Sequence, residues 1–289
     1  MSTQTESFDV LELSYPERQL VVVLDDAVVQ ATRKAAEAAR NGTGADWTAV
    51  VEKIAQGVKR LDTIGPLITI AGATYDELRA WAKAREGGLN ILQVGRSEAG
   101  RLRFPPGHPR DRALYVAHPA TPSVYYTMAS FHRMAFEHKF SEAVSLLMSL
   151  GATEIEVEHI QGWDRKFTSQ MSVPLQQVDA SGHASQSTGR KSSLLFKASY
   201  DNKQDATVPE GLVWFAHEPT WQVLADGRIK YGLHEFSLAV NYEDDFGVNA
   251  GMKLRVQKAG LDIGGTFEDH VATTWKLTGK FSRGQSGCA

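Results

Sequence analysis

The stretch TEIEVEHI, residues 153–160, alternates between apolar and polar side chains, most of the polar ones acidic. Because successive residues of an extended chain point to opposite sides, the isoleucine and valine at its centre share one face and the glutamates share the other. This pattern predicts a half-buried strand. Residues 193–200 alternate in the same way and are predicted to pair with it as a hairpin, with a mobile loop at residues 173–190 between them.

The glutamates of this strand, Glu154, Glu156 and Glu158, form a row of carboxylates spaced about 6.6 Å apart along the chain. Such a row either binds a divalent cation or faces basic side chains of a neighbouring strand. Lys197 in the predicted partner strand and Lys191 just before it would supply those basic side chains. We favour the second interpretation and predict no metal site.

The last third of the chain repeats the strand pattern. Residues 236–242 and 267–281 alternate, and residues 248–263 between them have the spacing of a helix. Together with the hairpin this gives four strands with polar outer faces. We therefore predict an α+β fold, in which a helical N-terminal part precedes a mostly antiparallel, about four-stranded twisted sheet with helices packed on one face.

The first part of the chain has mainly helical patterns. N-cap residues and apolar periodicity predict helices that begin at Asp25 or Asp26, at Asp46 and at Thr74. Short apolar runs predict strands at residues 20–24, 67–70 and 89–94. Residues 123–150, which follow Thr121-Pro122, have the pattern of one long helix or two.

A segment rich in arginine, proline and glycine, residues 95–112, is the predicted boundary between two parts of the chain. Residues 1–112 are predicted to form a mainly helical N-terminal subdomain with short strands. Residues 113–289 are predicted to form an α+β sheet domain with the mobile hairpin loop at 173–190.

The arginines of this segment are the predicted binding residues: Arg96, Arg101, Arg103, Arg110 and Arg112. Guanidinium groups bind phosphate through two hydrogen bonds at once, so the cluster is suited to a phosphate-bearing ligand. The same sequence is equally consistent with a solvated connector whose arginines pair with nearby carboxylates. Both interpretations remain open at this point.

Composition narrows the class of protein. The 31 basic and 34 acidic residues give a formal net charge of -3, which provides no strong signal for nucleic acid. The single cysteine, Cys288, allows no intrachain disulfide and favours a reducing compartment. No secretory signal and no apolar run of about 20 residues is visible. We predict a cytoplasmic protein without a cofactor.

The densest group of residues suited to catalysis is His217-Glu218-Pro219, with His234 further along the chain. His217, Glu218 and His234 would support general acid–base chemistry, as in a hydrolase or a metal-dependent enzyme, if the fold brought them together. The chain has no phosphate-binding loop, no dinucleotide fingerprint and no nucleophile elbow. Catalysis is therefore the less favoured class.

The hexapeptide Tyr231-Gly232-Leu233-His234-Glu235-Phe236 resembles the Tyr-Gly-Thr-His-Phe signature of the perforin-like pore-forming family. It differs from that signature at Leu233 and by the inserted Glu235. The resemblance implies a bent antiparallel sheet with segments that rearrange into membrane hairpins.

Three functional hypotheses follow. The first is a non-enzymatic binding or assembly protein that self-associates, as a homo-oligomer, or docks a protein partner through strand edges and loops. The second is a conditional membrane-disrupting effector. The third is the hydrolase or metal-dependent enzyme described above.

Overall fold

A computed structural model describes residues 9–30, 32–33, 72–163, 194–201 and 205–282. The helix predicted from Asp46, the strand at 67–70 and the loop at 173–190 lie outside the described residues. The chain divides into two compact units: Met1–His132 with Phe246–Asp269, and Arg133–Asp245 with His270–Ala289.

The first unit contains a four-stranded mixed sheet in the order β2-β1-β3-β4. Its strands are β1 (Leu20–Leu24), β2 (Ile91–Gly95), β3 (Leu114–Ala117) and β4 (Tyr125–Thr127). Strand β1 runs parallel to β2 and antiparallel to β3. It is buried along its whole length, as its run of leucine and valine predicts for a central strand.

Four labelled helices lie entirely within this unit: α1 (Tyr15–Arg18), α2 (Gly72–Glu86), α3 (Arg96–Ala99) and α6 (Ala250–Ala259). Residues 26–30 and 32–33 are also helical, as predicted from Asp25 or Asp26. Helix α2 begins at Gly72, two residues before the predicted cap. Helix α6 begins after Asn249, whose side chain accepts the Met252 N–H, and ends at Gly260 in the left-handed conformation.

The second unit contains a four-stranded antiparallel sheet in the order β6-β5-β8-β7. Its strands are β5 (Ala152–Gln161), β6 (Leu194–Ser199), β7 (Glu235–Tyr242) and β8 (Thr273–Phe281). The α+β class and this antiparallel sheet are confirmed. The predicted pairing of residues 153–160 with 193–200 is confirmed as well.

Two further helices are α4 (Phe131–Ser149) and α5 (Pro219–Tyr231). Phe136 and Phe140 of α4 contact the ring of Trp275 on β8 edge-on, with ring centroids 4.8 and 5.0 Å apart. Trp221 of α5 is fully buried. These large rings form much of the core beneath the sheet.

The helix predicted from residue 123 is wrong in its first part. Tyr125–Thr127 form strand β4, Met128–Ser130 form a 3-10 turn, and α4 begins only at Phe131. Pairing of β4 with β3 outweighs the local helical pattern, and its aromatic and β-branched residues suit a strand. Since β3 and β4 complete the first sheet, the division between the units does not coincide with the boundary predicted at residue 112.

Candidate functional site

The edges of the two sheets differ in how their main-chain groups are used. Along β2, side chains donate to main-chain carbonyls: Trp81 and Arg85 to Ile91, at 2.9 and 3.2 Å, and Arg33 to Gln93, at 3.1 Å. The side chains that donate these bonds occupy the space beside β2 that a further strand would need. Side chains thus close this edge of the first sheet.

The opposite edge of the first sheet is closed by main chain. Strand β4 is only three residues long. The Tyr125 N–H donates to the Arg103 carbonyl at 2.9 Å, and the Arg103 N–H donates to the Ser123 carbonyl at 2.7 Å. Residue 103 therefore takes the position that another chain would need.

Strand β7 forms one edge of the second sheet, and its register with β8 is unbroken from Glu235 opposite Lys280 to Tyr242 opposite Thr273. Its eight residues include no proline, glycine or lysine. Strand β5, by contrast, carries three register shifts, one against β6 and two against β8. β7 is thus a long, regular edge strand without the proline, lysine, bulge or short length that often prevents pairing.

One hydrogen bond sets which groups of β7 point outward. The Phe281 N–H donates to the His234 carbonyl at 2.8 Å, and the register with β8 places these two residues opposite each other, so they occupy a hydrogen-bonded position of the ladder. Hydrogen-bonded pairs recur at every second residue. The N–H and C=O groups of Glu235, Ser237, Ala239 and Asn241 therefore point away from β8.

Lys139 of α4 covers one end of this edge. Its buried ammonium group donates to the Asn241 carbonyl at 2.7 Å, forms an ion pair with Glu218 and lies 5.1 Å from the ring centroid of Trp214. Within the described ranges, the outward main-chain groups of Glu235, Ser237 and Ala239 have no strand beside them.

The polar face of this sheet carries charges of alternating sign. Lys197 on β6 pairs with Glu154, at 2.8 Å, and with Glu156. Its hydrogen bond holds the pKa of the Glu154 carboxyl below the usual value. Lys280 on β8 stands opposite Glu154 and Glu235. Glu154 and Glu156 therefore face a lysine, as favoured from the sequence, whereas Lys191 lies outside the described residues.

The five predicted binding arginines are held by different neighbours. Arg96 pairs with Asp25, at 2.9 Å, and with Asp111, whereas Arg101 pairs with Asp9, at 2.9 Å. The remaining three donate to neutral oxygens: Arg103 to Ser123 Oγ, Arg110 to the Gly107 carbonyl and Arg112 to the Gly260 carbonyl. Arg96 and Arg101 are therefore paired with carboxylates. In the described part of the chain, the other three arginines have no bond to a carboxylate.

Arg112 lines an open pocket of about 420 Å³ in the first unit, together with Asp111, Gln257, Gly260, Leu261 and Asp262. The pocket offers both a guanidinium and carboxylates, and Arg112 adopts a positive φ of 62°. Glu77 is buried within electrostatic range of Asp111 and Arg112, and burial raises the pKa of its carboxyl. The sequence did not indicate Glu77 and Asp262 as candidate site residues, because they are far from the arginine segment in the chain.

His217, Glu218 and His234 are not brought together. His217 and Glu218 precede α5 and His234 follows it, so about 20 Å of helix separates them at 1.5 Å per residue. Both histidines are exposed, and Glu218 is paired with Lys139. The three side chains therefore do not form the convergent site that acid–base chemistry requires. No group of three or more metal-binding side chains occurs among the described residues.

None of the helices in the described ranges is both long enough and apolar enough to span a membrane. Comparison of the chain with protein-family models, with curated proteins and with solved structures found no match in any of the three.

Proposed function

We propose that this chain is a non-enzymatic assembly protein that self-associates through the outer edge of β7. The observation that carries the proposal is the contrast between sheet edges: both edges of the first sheet are closed, whereas β7 presents outward main-chain groups along a regular strand. Proteins commonly protect such edges with proline, lysine, bulges or short strands. An edge that lacks these features favours pairing with another strand.

The side chains of β7 suit the same role. Its alternation is complete, with Phe236, Leu238, Val240 and Tyr242 buried and the residues between them exposed. A strand added to this edge would extend the apolar layer on one side and the polar face on the other. The pairing would thus be specified by side chains as well as by main-chain hydrogen bonds. The single cysteine fits assembly in a reducing compartment such as the cytoplasm.

The test is the solution mass of the full chain, measured by light scattering across a wide concentration range. We expect a discrete oligomer, and we expect Ala239→Pro to convert it to a monomer. The Ala239 N–H points outward, so proline there removes a donor from the edge without removing a bond to β8. Ala239→Thr is the matched control, because it keeps the N–H and suits a strand.

Unfolding in urea shows whether each variant remains folded. A second variant, Ser237→Lys, is expected to weaken assembly by charge repulsion in low salt and to recover in high salt, which loss of folding would not do. A parent protein that stays monomeric throughout contradicts the proposal. Growth in mass only after phospholipid vesicles are added also contradicts it, and would support the membrane-disrupting hypothesis instead.

A further inference from the structure

Among the described residues, the part of the β7 edge that has no strand beside it is short and bounded at both ends. At one end, Lys139 occupies the Asn241 carbonyl. At the other end, the next outward position is Leu233, whose N–H donates to the Gly227 carbonyl at 3.1 Å and whose carbonyl accepts from Arg228 at 3.0 Å. Three residues with outward main-chain groups remain between these limits: Glu235, Ser237 and Ala239.

This boundary restricts how two copies can pair. A two-fold axis makes edge strands antiparallel, and outward residues can exchange hydrogen bonds only with outward residues. With the axis at Ser237, the outward main-chain groups of Glu235, Ser237 and Ala239 all form hydrogen bonds with the second copy. An axis at Leu238 or Ala239 needs the Asn241 carbonyl, which Lys139 already holds. An axis at Phe236 leaves Ala239 opposite Leu233, whose main-chain groups are already bonded within the chain. An axis at Glu235 places two carboxylates opposite each other.

Building on the proposed function, we infer that two copies of this chain pair antiparallel about a two-fold axis at Ser237. Ser237 then lies opposite Ser237 of the second copy, and Glu235 lies opposite its Ala239. Each of the three pairs exchanges two bonds, which gives roughly six main-chain hydrogen bonds. The antiparallel β6-β5-β8-β7 sheet of one copy then continues into the same sheet of the second copy.

The side chains agree with this register. Glu235 faces alanine and not another carboxylate, so no like charges are opposed on the polar face. On the other face Phe236 lies opposite Leu238 of the second copy, which joins two apolar layers. Lys139 therefore has a role in specificity: by covering Asn241 it disfavours the registers centred on Leu238 and Ala239.

Disulfide trapping tests the register. In a Cys288→Ser background, which removes the only native cysteine, Ser237→Cys is expected to form a covalent dimer on mild oxidation. Facing residues of a hydrogen-bonded pair have Cα atoms about 5.5 Å apart, within the range of a disulfide. Ala239→Cys is the matched control, because its two copies would lie about 14 Å apart along the paired strands. We expect at least roughly tenfold more covalent dimer for Ser237→Cys.

Light scattering on the same reduced variants separates the two proposals. Equal cross-linking of both variants, or preferential cross-linking of Ala239→Cys, in a protein that still forms dimers would overturn the Ser237 axis but leave self-association standing. A dimer in which neither variant cross-links would also overturn the Ser237 axis. A monomer at every concentration would overturn both.

Discussion

Lys139 donates a hydrogen bond from its buried ammonium group to the main-chain carbonyl of Asn241, across 2.7 Å. The same group pairs with Glu218 and lies over the ring of Trp214. One side chain thus holds helix α4, the end of strand β7 and the start of helix α5 in a single arrangement. Its removal leaves a largely buried carboxylate without its cation.

We expect Lys139→Met to lower the free energy of unfolding by about 2–4 kcal/mol, because breaking a buried ion pair strands the remaining charge. Equilibrium unfolding in urea measures this change. Lys230→Met is the matched control: Lys230 forms an exposed pair with Asp226 at 2.9 Å, and loss of such a pair costs less than about 1 kcal/mol. Equal losses in the two variants would contradict a structural role for the buried pair.

Gly279 lies where β8 passes between β5 and β7. A Cβ atom at this position would stand 2.7 Å from the Phe236 ring and still closer to the Glu154 carbonyl oxygen. Because main chain cannot move aside as a flexible side chain does, we expect Gly279→Ala to destabilise the protein by about 3 kcal/mol or more in urea unfolding.

The control for this substitution is Gly227→Ala in helix α5, where the nearest contact of an added Cβ is Leu233 at 3.7 Å. Alanine there is expected to be neutral or to stabilise by up to about 1 kcal/mol, since it favours the helix. A stable Gly279→Ala variant would mean that the ladder between β5 and β8 is looser than described.

Glu142 of α4 accepts main-chain hydrogen bonds from Val213 and Phe215, both at 2.8 Å, through its two carboxylate oxygens. We expect Glu142→Ala to cost about 2–4 kcal/mol, because two donors lose a charged acceptor. Glu142→Gln keeps one acceptor oxygen and should lose about half as much. Amide exchange at Val213 and Phe215 should accelerate in the alanine variant; unchanged exchange there would contradict this account.

The second sheet was largely predictable because its information is local. Residues 153–160, 236–242 and 267–281 were each predicted from a single alternating period, and alternation fixes both the strand and its buried face. The last strand begins only at Thr273, six residues later than predicted. Lys197 was likewise foreseeable as a partner of the glutamates, since the predicted hairpin places it on the neighbouring strand. These features depend on pattern and pairing within one motif.

The predictions that were wrong, and the features that were not predicted, depend on contacts between distant segments. Strand β4 follows from its pairing with β3, and the closed edge of β2 follows from side chains of other elements. His217 and His234 are close in sequence, yet a helix of 13 residues keeps them apart. Which main-chain groups of β7 point outward is known only from the hydrogen bond between Phe281 and His234, and no sequence pattern predicts that bond.

Glu77 gives a prediction for the dependence of stability on pH. Burial raises the pKa of its carboxyl above the ordinary value of 4.5, so the folded state holds the proton to higher pH than the unfolded state. Well below pH 4.5 both states are protonated and the carboxyl does not lower stability; as the pH rises from 4.5 through the raised pKa, stability is lost. We therefore expect Glu77→Gln to have the larger free energy of unfolding at neutral pH, with the difference vanishing in acid, as followed by urea unfolding at several pH values. A variant that is less stable than the parent at neutral pH would instead show that the carboxylate stabilises the fold through Arg96 or Arg112.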